Sequence, residues 1–335
     1  MFARTQRNTM ILMTGLLASG FALAACGGAG SSGTEAPPSA AAGKGCAPVA
    51  SEDLVLLTDD KNLQNSDNII AVANTKGATP ALFAAVDKVG AALDQPKLLA
   101  LNKAVDLERK TPAVAAQEFA AANGLTTGGS GGSGKVVVGA AGFSESQTLA
   151  ELYKIALNAA GFQATVLQST NREVYEAALE KGDITVFPEY AATMTEFLNQ
   201  KANGKNAPAK SSGDIAATTA ALKDLATKYG LSVGTASKAS DQNAFAVTKP
   251  VADANGLKTL SDFAAKCSGA ASVLAGPDEC PERPFCQPGL KDKYGITFGK
   301  FFAGDAGGPR TKTALKTGQA TLGLVFSSDS SLTAA

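Results

Sequence analysis

The chain has 335 residues, of which 45% are hydrophobic and 18% charged, so it can bury a sizeable core and favours two lobes of about 100 to 150 residues each. Its thirty basic and thirty acidic residues cancel, which argues against nucleic acid or an anionic membrane surface as main partner. Because the chain has no histidine, we expect no metal site, no cofactor and no enzymatic nucleophile of the Ser/His or Cys/His kind.

The N-terminus has the pattern of a targeting segment. Arg4 and Arg7 precede an apolar run at 10–22, which ends in Leu-Ala-Ala-Cys26. That tetrad resembles a bacterial lipobox, which implies removal of residues 1–25 as a signal peptide and a diacylglyceryl thioether on Cys26. An ordinary secretory signal with an incidental cysteine is the alternative. The Gly/Ser/Pro/Ala-rich residues 26–45 then predict a flexible tether, and with it a protein anchored to the outer face of the cytoplasmic membrane.

Four cysteines remain after Cys26, an even number that predicts disulfides in an oxidising compartment. Cys280 and Cys286 bracket a short loop that a local bridge can close, which leaves Cys46 to pair with Cys267. Four cysteines permit three connectivities, of which this one is the most economical. The spacings fit no familiar metal-ligand pattern.

The first elements are two strands followed by three helices. Apolar runs predict strands at 53–57 and 68–73, and a helical stripe begins at Thr79. Further helices are predicted at 96–107 and 112–122, with Pro96 and Pro112 in their first turns. Residues 126–134, TTGGSGGSG, then read as a flexible linker.

After the linker the pattern alternates between strands and helices. Strands are predicted at 135–140, 162–167 and 184–187, and capping boxes at Ser144 and Thr170 predict the intervening helices. The loops near Phe143, Asn171 and Tyr190 should therefore share one edge of a parallel sheet, where open α/β folds bind ligands. The remaining segments are predicted as helices at 215–229, 261–266, 289–293 and 308–317, and as strands near Leu231 and at 242–248, 271–275 and 321–326.

Several segments together resemble a known family. They are FSESQTLAELYKIAL, NREVYEAALEKGDITVFPEYAATMTEFL, DQNAFAVTK, GPDECPERPFCQPGLKDKYGI and TLGLVFSSDSSL. They are similar to the substrate-binding proteins of ABC importers for osmoprotectants, the quaternary-amine family that takes up glycine betaine, choline or carnitine. The resemblance covers nearly everything after Lys135 and implies a small solute and a separate ABC permease as partners.

The order of the segments departs from that family. Residues before the linker resemble the family's C-terminal portion, and joining Ala335 to Ser51 gives a sequence that continues as the family does. The chain thus looks like a circular permutant, a rearrangement that proteins tolerate when their termini lie close together. In this reading a Cys46–Cys267 bridge holds the new N-terminal strand in its lobe.

The fold class implied is α/β, a two-lobed periplasmic-binding-protein-like clamshell of type II in circularly permuted order. Lobe I is expected to comprise 61–125 with 135–240, and lobe II 46–60 with 241–335. The linker at 126–134 joins the family's C-terminal and N-terminal portions. The two crossings between the lobes are expected near 59–63 and 241–245.

The resemblance also implies a cage of aromatic rings, because ring faces attract a methylated cation that cannot donate ordinary hydrogen bonds. Tyr190 and Thr193 fall on the family's PEYTGT-like positions, and Phe245 and Phe326 fall where cage tyrosines are usual. Arg283 falls on the arginine that grips a ligand carboxylate. From the apolar pattern alone, both phenylalanines would be core residues, and Arg283 could be a surface charge.

Two observations bear on the solute in opposite directions. Asp67 stands where the family often has an aromatic residue and would favour a cation such as choline, whereas Arg283 favours a betaine. A surface role for Asp67 in the polar run 65–68 is an equal alternative. The function expected is capture of a quaternary amine for a permease, and the alternative is a sensor or scaffold lipoprotein of the same fold without a transport role.

Overall fold

The computed structural model describes residues 43–128 and 131–334. The predicted signal peptide, the lipidated Cys26 and most of the predicted tether lie outside the described residues. Within the described ranges the strands are β1 (Leu54–Leu57), β2 (Ile69–Asn74), β3 (Lys135–Ala140), β4 (Gln163–Gln168), β5 (Val186–Tyr190), β6 (Leu231–Val233), β7 (Asn243–Thr248), β8 (Gly269–Gly276), β9 (Phe298–Ala303), β10 (Leu322–Phe326) and β11 (Thr333–Ala334).

The helices of the same ranges lie between these strands. They are α1 (Pro80–Ala92), α2 (Gln95–Asp106), α3 (Pro112–Ala122), α4 (Ser144–Ala159), α5 (Arg172–Lys181), α6 (Ala191–Asn203), α7 (Ile215–Thr227), α8 (Lys249–Asn255), α9 (Leu260–Cys267), α10 (Gln287–Tyr294) and α11 (Pro309–Lys316). Each of these helices is too short or too polar to span a lipid bilayer.

The strands form two sheets. One has five strands in the order β4-β3-β5-β2-β6, and the other has six in the order β11-β1-β7-β10-β8-β9. Strands β3, β4 and β5 run parallel, whereas β2 is antiparallel to both β5 and β6. The chain passes between the sheets from β1 to β2 and again from β6 to β7. This arrangement confirms the predicted two-lobed α/β clamshell.

Each sheet is buried on both faces. Along β2, Ile69 and Ala71 pack into one hydrophobic cluster while Ile70 and Val72 pack into another, as the two-residue period of a strand requires. In the six-stranded sheet, Leu54 faces a different cluster from Val55 and Leu57. Such doubly covered strands explain the uninterrupted apolar runs in the sequence.

The distribution of strands suggests where each lobe begins and ends. The five-stranded sheet takes β2 to β6, and the six-stranded sheet takes β1 and β7 to β11. We therefore propose the boundaries predicted from the sequence, with 61–125 and 135–240 as lobe I and with 46–60 and 241–335 as lobe II. Between the strands, the crossing segments are 58–68 and 234–242.

Two predicted helix caps are wrong in detail. Helix α4 begins at Ser144, so Phe143 occupies the N-cap position and no side chain caps the helix. The Ser146 hydroxyl accepts a hydrogen bond at 2.9 Å from the Ala141 amide, which lies before the helix, and does not cap the helix. At α5 the N-cap is Asn171, whose side chain accepts the Val174 amide, rather than Thr170. A one-residue shift of the helix start removes the capping-box geometry in both cases.

Four elements have no counterpart among the predictions: α6, α8, β9 and β11. Helix α6 follows β5 without an intervening loop, since Tyr190 ends the strand and is also the N-cap. Helix α8 follows β7 in the same way. Where no turn residues separate two elements, sequence patterns give no boundary.

The described part of the linker contacts the folded body. The Gly132 amide donates to the Ala160 carbonyl at 3.0 Å, and Lys88 Nζ donates to the Gly128 carbonyl at 3.0 Å. A Cβ at position 132 would lie 2.5 Å from the Phe162 ring, so only glycine fits there. These contacts differ from the free spacer that the composition predicts.

Both disulfides of the most economical pairing are formed. Cys46 is bonded to Cys267 across a sequence separation of 221, and Cys280 is bonded to Cys286 across a separation of 6. The first fixes the start of the described chain to lobe II, where the Lys44 carbonyl also accepts the Ala271 amide at 2.9 Å.

Candidate functional site

A cavity of about 100 Å³ lies between the lobes. Lobe I contributes Phe143 and Asn171 from the loops that follow β3 and β4, and Tyr190 from the end of β5. Lobe II contributes Pro277 just after β8 and Phe326 at the end of β10. The cavity therefore lies at the carboxyl ends of strands, the edge where open α/β sheets bind ligands.

Five of the six predicted ligand-binding residues line this cavity: Asp67, Tyr190, Thr193, Arg283 and Phe326. Phe245 is placed elsewhere. It lies on β7 in the interior of the six-stranded sheet, and its side chain, 1% exposed, packs into the core of lobe II. Phe245 is therefore left out of the candidate site.

Three aromatic rings form one group on the cavity wall. The ring centre of Phe143 lies 6.1 Å from that of Tyr190 and 5.3 Å from that of Phe326. Because Phe143 and Tyr190 come from lobe I and Phe326 from lobe II, the group brings both lobes together. Phe143 was missed as a site residue, although its loop was predicted to lie at this edge.

A buried carboxylate holds Tyr190 in place. The Tyr190 hydroxyl donates to Glu145 Oε1 at 2.7 Å, and Asn102 Nδ2 and the Ser328 hydroxyl donate to Glu145 Oε2 at 2.6 and 2.7 Å. Burial raises the pKa of the Glu145 carboxyl, against the lowering effect of these three hydrogen bonds. Since Ser328 follows β10 of lobe II, this network also ties the two lobes together.

Asp241 is a second buried acidic group and lies in the crossing before β7. Its Oδ1 accepts the Ser328 amide at 3.0 Å, so Ser328 bridges Asp241 and Glu145. Burial and the nearby Glu145 charge raise the pKa of Asp241 well above its usual value. Asp241 lines the cavity.

Asp67 is the third buried carboxylate. The Thr193 amide donates to Asp67 Oδ1 at 2.9 Å, and the Thr193 hydroxyl donates to Asp67 Oδ2. Burial raises the pKa of Asp67 to about 6, although both hydrogen bonds from Thr193 lower it. Asp67 is 5% exposed, so the alternative of a surface role does not hold, and Thr193 acts by positioning this carboxylate.

The basic side chains of the cavity already have acidic partners. Arg172 donates to both oxygens of Glu189 at 3.0 and 2.9 Å. Arg283 Nη2 lies 3.0 Å from Glu173 Oε2 and 3.2 Å from Glu279 Oε1. Within the part of the chain that the structure describes, no Lys or Arg forms an ion pair with Asp67, Asp241 or Glu145.

The site thus combines three rings with three buried carboxyl groups, Asp67, Asp241 and Glu145, that have no ion-pair partner among the described residues. Ionised carboxylates in a low-dielectric cavity are unfavourable unless a positive charge compensates them. A cation with an apolar, non-donating surface would satisfy both the rings and the carboxylates.

Comparison with known proteins gives one family and a set of solved structures. A family model described as the substrate binding domain of ABC-type glycine betaine transport system matches residues 47–122 and 134–335. A solved structure described as the crystal structure of a glycine betaine/carnitine/choline ABC transporter is 22% identical in sequence. The match covers 57% of this chain and 68% of that chain, with a TM-score of 0.36. No curated protein matches.

Proposed function

This chain belongs to the family of substrate-binding domains of ABC-type glycine betaine transport systems, and from that membership we propose that it captures a quaternary ammonium solute outside the cytoplasm and delivers it to an ABC permease. The family is one of solute-binding proteins rather than enzymes. The observation that carries the proposal is the group of three rings, Phe143, Tyr190 and Phe326, beside buried carboxylates in one cavity between the lobes.

The rings account for the ammonium group. A methylated cation has no N–H to donate, and its attraction to a ring face is about 0.5 to 2 kcal/mol per ring. Asp67 and Asp241 lie side by side on the cavity wall, where the Asp241 amide donates to the Asp67 carbonyl at 3.1 Å, and a bound cation would favour the ionised form of both carboxyls. Phe326 of lobe II lies against Phe143 of lobe I, so a ligand that contacts both rings would stabilise this arrangement of the lobes.

The charge distribution favours a cation over a zwitterion. For Arg283 to grip a ligand carboxylate, it would first have to release Glu173 and Glu279. At pH 7 the ionised Asp67 would meanwhile repel that carboxylate. We therefore expect choline to bind more tightly than glycine betaine, in line with the sequence clue from Asp67 rather than the one from Arg283.

The proposal includes a lipid anchor at Cys26 on the outer face of the cytoplasmic membrane. Its support is the sequence pattern at 1–45 together with the two disulfides, which persist in oxidising compartments. Replacing Cys26 by alanine should move the protein from the membrane fraction to the soluble fraction. Retention in the membrane fraction would contradict the anchor.

The proposal also includes a circularly permuted chain order. The two matched segments are separated at 123–133, where the Gly/Ser linker lies. Strands β1 and β10 both flank β7 in one sheet, so the start and the end of the described chain belong to the same body. Strand β11 pairs in parallel with β1, with Thr333 beside Val55. A peptide bond between Ala335 and Ser51 would therefore require β11 to separate from β1.

The test of function is isothermal titration with tetramethylammonium, choline, glycine betaine and carnitine. We expect binding of the cations, and a loss of about 2- to 30-fold in affinity for Tyr190→Ala and for Phe326→Ala, one ring each. Phe302→Ala on β9 is a matched control, since this half-buried ring lies outside the cavity. Silence of the folded protein across the panel would favour the sensor or scaffold alternative.

A further inference from the structure

A second, larger cavity adjoins the first. Its volume is about 580 Å³, against about 100 Å³ for the inner cavity. The two share the wall residues Asn171, Arg172, Thr193, Asn243, Glu279 and Arg283. We call the larger cavity the outer chamber. Phe197 and Gln200 from α6 and Phe285 from the Cys280–Cys286 loop complete its wall.

The two cavities differ in size and therefore in the ligand groups that they can hold. Small-molecule sites commonly occupy about 300 to 1,000 Å³, a range that includes the outer chamber and excludes the inner cavity. The inner cavity, with its rings and carboxylates, therefore suits a compact head group. The outer chamber leaves room for whatever is attached to that head.

The basic side chains of the outer chamber are already paired with acidic groups. Lys201 Nζ donates to both oxygens of Glu176 at 2.9 and 2.8 Å, Lys205 forms an ion pair with Glu282, and Arg283 is bound by Glu173. A ligand carboxylate in this chamber would have to break one of these pairs. An uncharged polar group would not.

The remaining surface suits carbon and uncharged polar atoms. The rings of Phe197 and Phe285 both face the chamber. Gln200 offers an amide on the same wall, and its side chain makes no hydrogen bond with the part of the chain that the structure describes. Apolar area with a few polar groups is the usual make-up of a small-molecule site.

We infer that the cleft binds an extended ligand, with a trimethylammonium head in the inner cavity and an uncharged tail, of the ester or ether kind, in the outer chamber. This inference rests on the proposed function and names the ligand class more narrowly. It assigns the outer chamber as a tail site and Phe197 and Gln200 as residues that determine tail length.

The test is a titration series of increasing tail length: tetramethylammonium, choline, acetylcholine and butyrylcholine. Burial of each tail methylene in the outer chamber should raise affinity about fourfold, the factor that corresponds to about 0.8 kcal/mol per methylene. Gln200→Trp adds an indole ring to the outer chamber and should reduce this gain, while tetramethylammonium, which occupies the inner cavity alone, should bind as before. Gln117→Trp, on the exposed face of α3, is the matched control and should behave as the wild type.

The outcomes separate this inference from the proposed function. If tetramethylammonium binds but longer tails add nothing, the tail site is refuted and the head site stands. If no probe binds to the folded protein, the proposed function and the tail site fail together. Should Gln200→Trp fail to fold, Phe197→Ala decides instead: an unchanged gain per methylene in that variant would overturn the assignment.

Discussion

Asp67 should make cation binding depend on pH. Its carboxyl has a pKa raised to about 6 by burial, and a cation binds the ionised form. With that pKa the ionised fraction falls from about nine-tenths at pH 7 to about one-tenth at pH 5, so the affinity for choline should fall about tenfold over this interval. The stability of the ligand-free protein should change with pH in the opposite direction to the cation affinity. Because folding raises the carboxyl pKa, the free energy of unfolding rises as the pH falls from above 6 towards 4.

The same linkage predicts that the cation displaces a proton. At pH 6, about half a proton should be released for each choline bound, because half of the Asp67 carboxyls are protonated before binding. Isothermal titration in two buffers of different ionisation enthalpy measures this number directly. Equal enthalpies in both buffers would contradict the linkage.

Asp67→Asn isolates the residue responsible. The amide can keep both contacts with Thr193, so the variant should fold, bind choline more weakly at pH 7 and lose the pH dependence. Other charged groups also lie near the cavity: the carboxyls of Asp241, Glu145 and Glu189, and the guanidinium of Arg172, whose positive charge lowers the pKa of Asp67. If Asp67→Asn keeps the full tenfold loss between pH 7 and 5, Asp241 or Glu145 takes the proton and the reasoning about Asp67 is refuted. Asp224→Asn, on the exposed face of α7, serves as control.

Three further predictions concern single contacts. Arg283→Ala removes a partly exposed ion pair, so the free energy of unfolding, measured by thermal denaturation, should fall by less than about 1 kcal/mol. Choline affinity should stay within about threefold. A complete loss of choline binding would mean that Arg283 contacts the ligand. Loss of the Cys46–Cys267 disulfide, in a double serine variant, should destabilise the protein by about 5 kcal/mol because it closes a loop of 221 residues, and denaturant titration with and without reductant would check this. Tyr190→Phe leaves one fewer donor on the buried Glu145 and should cost about 1 to 3 kcal/mol of stability, while choline affinity, which depends on the ring, changes little in titration.

Local sequence patterns were sufficient for most elements of the fold. The apolar runs of β2 and β3 and the prolines of α2 and α3 marked their elements because each signal lies within a few residues of the structure it predicts. Helix α6 was not predicted because β5 continues into it without intervening turn residues. The class of the fold followed from the alternation of strands and helices and from the family resemblance.

The site was only partly accessible from the sequence. Tyr190 stood out because it ends a strand after a proline, and its loop neighbours Phe143 and Asn171 were expected at the same edge. The hydrogen-bond network around Tyr190 could not be predicted from the sequence, since the Glu145–Ser328 contact joins residues 183 positions apart. Phe245 shows the reverse error, because matching a family position does not reveal which face of a central strand a side chain occupies.

The attachment of the first described residues has a mechanical consequence. The Gly43 and Lys44 carbonyls accept the amides of Ala270 and Ala271 at 3.2 and 2.9 Å, and Cys46 is bonded covalently to Cys267. A force applied to the chain upstream of Gly43 would therefore be transmitted to lobe II without unfolding β1. With the anchor proposed at Cys26, lobe II would be the half held at the membrane, and lobe I would be attached to it only through the crossings at 58–68 and 234–242.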